Sequence, residues 1–130
     1  MQSGRPYSLA AAASDFPAPL SSTERTITIA GLEIRPDSRE VLSATGRVQL
    51  TGRELDVLTV LVEHPDRVVT RDTIYAEVWG GHMPYRDRAA DVYVRRVREK
   101  LRALAPNLTY IHTHFGIGYR FWPEPGTDAQ

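Results

Sequence analysis

From Thr26 onward, apolar residues alternate with polar ones in short runs: Ile27 and Ile29, Leu32 and Ile34, Val41 with Leu42, Val48 and Leu50. Such alternation places the apolar side chains on one face of a strand. Turn chemistry at Ala30-Gly31, Pro36-Asp37-Ser38 and Ala44-Thr45-Gly46 separates the runs, so four short antiparallel strands are predicted. Their apolar face needs a cover. The period then changes. Thr51-Gly52-Arg53-Glu54 forms a capping box, in which the threonine hydroxyl accepts from the third backbone N–H of a helix and the glutamate reaches back. That helix is expected to run to about His64, with Leu55, Leu58, Leu61 and Val62 inward, and Pro65 closes it. Thr70 caps a second helix from Arg71 to about Val78, with Ile74 and Val78 on one face, and Trp79-Gly80-Gly81 stops it. In a third helix Ala90, Val94, Val97, Leu101 and Leu104 recur at intervals of four, three, four and three, which is one helical stripe. After a turn at Pro106-Asn107, Tyr110 to Thr113 and Tyr119 to Trp122 read as strands flanking His114-Phe115-Gly116-Ile117-Gly118. The two glycines permit the positive φ angles a tight hairpin requires.

The expected fold class is therefore α+β: a winged helix-turn-helix with an N-terminal four-stranded antiparallel sheet, three helices and a C-terminal β-hairpin wing. The expected organisation is a flexible tail over 1–25, one domain over 26–123 and a flexible tail over 124–130. At 130 residues the chain has room for a single domain of common size. No apolar run approaches the roughly 20 residues a membrane helix needs. With no cysteine, disulfides, thiolate zinc sites and cysteine nucleophiles are excluded together, and a cytoplasmic setting is expected.

Charge sharpens this picture. The segment Arg86 to Arg102 holds seven basic residues (Arg86, Arg88, Arg95, Arg96, Arg98, Lys100, Arg102) and three acidic ones (Asp87, Asp91, Glu99), in a chain whose net charge is zero. Zero net charge argues against nonspecific coating of nucleic acid but leaves room for one basic face. With the apolar stripe buried, Arg88, Asp91, Val92, Arg95 and Glu99 look outward. Guanidinium groups, a carboxylate and a small apolar side chain on one free helix face suit a DNA major groove. The bland alternative is a solvated helix whose acidic residues pair with its arginines. His112 and His114 share one side of a strand, but no cysteine or close carboxylate completes a metal site. No phosphate loop, nucleophile elbow or acid pair is present, so neither enzyme activity nor a cofactor is expected.

Four stretches together resemble the DNA-binding effector domain of the OmpR/PhoB-type response regulators: Leu50-Thr51-Gly52-Arg53-Glu54, Val69-Thr70-Arg71-Asp72 through Val78-Trp79-Gly80, Asp91 to Leu101, and Gly116-Ile117-Gly118-Tyr119-Arg120-Phe121. The resemblance covers about Ile27 to Trp122. It implies a third helix in the major groove, a wing at the minor groove and a helix 2 to helix 3 loop (Gly80, Gly81, His82, Met83, Pro84, Tyr85, Arg86) that contacts RNA polymerase. It further implies two copies arranged head to tail on direct repeats.

Members of that family usually carry a receiver domain ahead of this one. Only about 25 residues precede the first strand here, so control by aspartyl phosphorylation within this chain is not expected unless the sequence is a fragment.

Among the individual residues, Arg88, Arg95 and Arg96 are expected at bases or phosphates, because arginine can bond a guanine edge or a phosphate in bidentate fashion. Val92 would meet a thymine methyl, and Asp91 would accept from cytosine or orient a neighbouring arginine. Arg98 and Arg102 are expected at phosphate. Arg71 would either join the helix 2 N-terminal amides on a phosphate or simply be exposed, and Thr113 and Arg120 would contact the DNA backbone from the wing. Trp79 and Tyr119 are either core aromatics or, as the resemblance implies, contacts whose polar tips meet phosphate oxygens. Many members have an arginine just before the first wing glycine, where this chain has Phe115; an aromatic there packs on sugars, wedges at a base step or braces the hairpin. The alternative from another class is a winged-helix interaction module that binds an acidic partner protein.

Overall fold

The computed structural model describes residues 26–126. The expected tail over 1–25 and residues 127–130 lie outside the described residues. Four antiparallel strands open the fold as a meander: β1 (Ile27–Ile29), β2 (Leu32–Arg35), β3 (Glu40–Ser43) and β4 (Gly46–Gln49). The register pairs Ile27 with Ile34, Ile34 with Val41, and Val41 with Val48, which lines up the alternating apolar residues on one face. Ala30 and Gly31 make the first turn with φ of +54° and +80°. Two consecutive positive φ angles give a two-residue hairpin loop whose twist matches its strands.

Three helices follow, α1 (Gly52–Val62), α2 (Arg71–Val78) and α3 (Ala89–Leu104), and α3 packs on the sheet at β4. The capping box at α1 forms as the sequence indicates, with Thr51 Oγ1 accepting from Glu54 N–H and Glu54 Oε1 accepting from Thr51 N–H. The helix stops at Val62, slightly before the expected His64, with Glu63 as its C-cap. Ala90, Val94, Val97, Leu101 and Leu104 are the buried residues of α3, the full stripe read from the sequence. They join Leu32, Ile34 and Val41 from the sheet and Leu55, Leu58 and Leu61 from α1 in one core. No helix among the described residues is long and apolar enough to cross a membrane.

The C-terminal part departs from expectation in two ways. A strand not anticipated from the sequence, β5 (Val68–Thr70), precedes α2, and it pairs with the last strand, so the wing belongs to a three-stranded sheet. That sheet has the order β5-β7-β6, with β6 at Leu108–His114 and β7 at Gly118–Pro125. Both hairpin strands are longer than predicted, and β7 runs past the expected domain end at 123. β5 pairs Thr70 with Gly118. A Cβ at Gly118 would lie 2.0 Å from the Val69 carbonyl oxygen, so this crossing requires glycine. A further tie, Arg71 N–H to Ile117 O at 3.4 Å, holds the wing against the start of α2.

Candidate nucleic-acid interface

The outer side of α3 carries the basic residues, but the structure divides them. Lys100 turns inward and donates to Glu54 Oε1 at 2.7 Å and Gln49 O at 2.9 Å. Glu54 is 3% exposed, so this pair anchors α3 to the capped end of α1. Burial raises the Glu54 pKa, but the Lys100 and Thr51 hydrogen bonds and the Lys100 charge outweigh it and leave it below the usual glutamate value. Arg86 lies ahead of the helix at φ +63°, its guanidinium 5.2 Å from the Tyr85 ring.

Arg88, Arg95, Arg96 and Arg102 are exposed and Arg98 is half-buried. Arg88 is the N-cap residue of α3, where the orphan amide of Ala89 is satisfied by Asp87 Oδ1 at 2.7 Å. Arg96 leans over the ring of Tyr93 at 5.1 Å, on the α2 side of the face. Arg98 leans the other way, over Tyr119 at 5.9 Å and donating to Thr113 Oγ1 on the wing at 2.8 Å. Arg95 stands between them. The helix therefore presents a row of guanidinium groups bounded by α2 on one side and the wing on the other. Val92 is half-buried on the same helix. Burial, only partly opposed by Tyr119, lowers the Arg98 pKa.

None of Arg88, Arg95, Arg96, Arg98 or Arg102 makes an ion pair among the described residues. Two of the three acidic residues of the segment are otherwise placed, with Asp87 capping the helix and Asp91 pairing with Arg71, while exposed Glu99 makes no ion pair among the described residues. A row of unpaired cations on one helix is not the neutralised surface that the same composition allows.

Three of the expected contact residues sit differently from the sequence reading. Asp91, expected on the free face, points to the junction of α2, α3 and β7, where Oδ1 accepts from the Tyr119 hydroxyl at 2.6 Å and Oδ2 accepts from Arg71 Nη2 at 3.2 Å. Its carboxylate is thus paired with a neighbouring arginine, Arg71. Tyr119 is 9% exposed and its hydroxyl is committed to Asp91, so its polar tip is not turned to solvent. Arg120 lies on the face of the sheet opposite Tyr119 and Phe121, because successive strand residues alternate. Its guanidinium is held by Asp66 at 2.6 Å and Glu124 at 3.2 Å.

Burial, the Asp91 hydrogen bond and the Asp91 charge push the Tyr119 phenol up to about 12. The folded value lies above the unfolded one near 10, so this contribution to stability is complete below roughly pH 10 and is lost as pH rises through about 12. Tyr119→Phe is expected to cost about 1 kcal/mol near neutral pH and to flatten the alkaline loss of stability, as followed by denaturant melts. Burial also raises the Tyr110 pKa, so some slope will remain. Equal alkaline slopes in variant and wild type would remove Tyr119 from the account.

An aromatic cluster beside α3 was not singled out from the sequence. Tyr75 and Trp79 stack at 5.2 Å, Trp79 meets Tyr93 at 5.7 Å, and Arg53 lies over Trp79 at 5.4 Å while donating to Val78 O at 2.6 Å. The signal available was the four-residue spacing of Tyr75 and Trp79, which stacks rings at the end of a helix. The loop Gly80 to Arg86 begins with two positive-φ glycines and exposes Tyr85. At the wing tip Phe115 is 90% exposed, so it does not brace the hairpin. His112 bonds Trp122 O and His114 accepts from Arg120 Nε. Among the described residues no group of three or more His, Cys, Asp or Glu could hold a metal ion.

Comparison with known proteins identifies the family and the fold. The family described as "Transcriptional regulatory protein, C terminal" matches residues 45–121. Response regulator MprA of Mycobacterium ulcerans is 40% identical over 94 residues, covering 72% of this chain and 40% of that protein. The chain thus spans about two-fifths of the length of such curated relatives. Among solved structures, the Klebsiella pneumoniae RstA DNA-binding domain in complex with RstA box superposes with a TM-score of 0.66 at 31% identity, over 78% of this chain and all of that one. The DNA-binding domain of CpxR from E. coli gives 0.64 at 28% identity, over 75% of this chain and 96% of that one.

Proposed function

The chain belongs to the OmpR/PhoB-type family of transcriptional regulatory protein C-terminal domains, and on that premise we propose that it is a sequence-specific, double-stranded DNA-binding transcriptional regulator acting in the cytoplasm. The observation that carries this reading is the set of five arginines, four on α3 and one at its N-cap, without a carboxylate partner among the described residues. Cations held in a row on a rigid helix and left unneutralised have the chemistry to displace counterions from a phosphate backbone. The RstA relative, solved with its RstA box, supports the same use of this fold.

In this reading α3 enters the major groove and the wing approaches the minor groove. Arg95 and Arg96, with Arg88 and Val92, take the base edges; Arg98, Arg102 and Thr113 take phosphates on the wing side. Arg71, aimed by Asp91, takes a phosphate at the start of α2, and Trp79 meets the backbone beyond it. The Gly80 to Arg86 loop, with Tyr85 and Arg86 outermost, is the surface offered to RNA polymerase, and two copies bind head to tail on direct repeats.

Selection of bound duplexes from a random pool, followed by a salt series on a recovered duplex, tests the reading. Affinity should fall linearly in log–log form with a slope of about −3 per bound copy, the release expected for three phosphates neutralised by Arg71, Arg98 and Arg102. Recovery of no duplex at low salt would overturn it. The spacing of recovered half-sites reports whether two copies bind in tandem.

A further inference from the structure

Two large apolar side chains are exposed at the tip of the wing, Phe115 at 90% and Ile117 at 56%. The tip is nonetheless fixed. Ile117 N–H bonds His114 O at 2.9 Å, and Ile117 O accepts from Arg71 N–H at 3.4 Å. Gly116 makes the turn at φ +76°, and Gly118 locks β7 against β5. A hairpin tip that is exposed, apolar and held from three sides is preorganised to enter something.

The surroundings say what. Phe115 lines one groove with Thr113, Arg98 and Arg102, and with His112 and Glu124 further along it, so it stands beside the unpaired Arg98 and Arg102. An apolar wedge flanked by guanidinium groups matches the minor groove of a duplex, where phosphates are close on both sides and the base-pair stack is the apolar element.

Resting on the reading of the protein as a DNA-binding regulator, we infer that Phe115 acts as a wedge that opens a base step in the minor groove beside the α3 site. The wing then selects its flanking sequence by deformability and not by hydrogen bonding. The step it favours is a pyrimidine–purine step, which unstacks most readily. Ile117 packs behind Phe115 against the sugars.

The test uses duplexes recovered by selection, with the fluorescent base 2-aminopurine placed in turn at each position flanking the α3 site. Saturation with the wild-type protein should raise the fluorescence at one flanking pyrimidine–purine step, the signature of unstacking. Phe115→Ala should abolish that rise and weaken binding about tenfold. Its melting temperature should match wild type, because the side chain is exposed. Phe115→Arg should recover affinity without recovering the fluorescence, since a cation attracts the groove without opening it. Unchanged fluorescence at every flanking position in a saturated wild-type complex would overturn the wedge while leaving DNA binding intact. Association with anionic lipid vesicles that Phe115→Ala abolishes, in the absence of unstacking, would assign the tip to a membrane surface and overturn it as well. Recovery of no duplex by selection marks a different failure, that of the DNA-binding reading itself, and the wedge falls with it.

Discussion

Gly118→Ala is expected to destabilise the fold by about 3 kcal/mol or more, a fall in Tm of roughly 12 °C or more for a domain near 100 residues. The added methyl would meet the Val69 carbonyl oxygen at 2.0 Å and the Thr70 Cα at 2.8 Å, both main-chain atoms that no rotamer change can move aside. Relief requires β5 to separate from β7, which breaks the pairing of Val69 with Tyr119 and of Thr70 with Gly118. Tyr119 would lose its position against Asp91, and the effect would spread to Arg71. Gly116→Ala makes the contrast. Its φ of +76° strains any side chain, but nothing lies within 4 Å of the new Cβ, so a loss of about 1 to 2 kcal/mol is expected. Thermal melts of both variants check the pair, and a Gly118→Ala protein that melts within a few degrees of wild type would show that β5 and β7 do not approach so closely.

Removing Arg95 and Arg96 together should weaken binding to a selected duplex by about 2 to 5 kcal/mol, some thirty-fold to several-thousand-fold, with no change in Tm. Both are exposed and neither makes an ion pair among the described residues, so the fold does not depend on them. Each single variant separates base from phosphate contact. A residue that reads a base loses discrimination at one position, whereas a phosphate contact weakens all sequences alike and reduces the salt slope by about 1. Arg96 rests on the Tyr93 ring at 5.1 Å, which limits the directions it can take, so the sharper loss of base preference is expected from Arg96. Retention of wild-type affinity by the double variant would mean that α3 does not enter the groove by this face.

The sequence made the local structure plain wherever local chemistry decided it. The capping box at Thr51, the stripe from Ala90 to Leu104 and the alternation from Ile27 to Val48 each act within a few residues, and each is present as read. What escaped was non-local. β5 is three residues with a single inward side chain, Val69, and its partner Tyr119 lies fifty positions away. A helical wheel assigns Asp91 to a side of α3 but cannot say that Arg71 and Tyr119 approach that side. The same limit hid Lys100, which counts as one more positive charge in the sequence and proves to be the partner of buried Glu54. Arg120 was misplaced for a related reason: strand parity fixes its face only relative to Tyr119, and that face becomes definite once Tyr119 is known to point inward.

Two populations of charged residue thus share α3. Asp91 and Lys100 are tied into the framework, whereas Arg88, Arg95 and Arg102 reach outward without an ion pair or side-chain hydrogen bond among the described residues, and Arg96 rests only against the ring of its neighbour Tyr93. Exposed positions of the second kind accept substitution within about half a kcal/mol of stability. The face proposed to meet DNA can therefore change a few residues at a time while the scaffold beneath it stays the same.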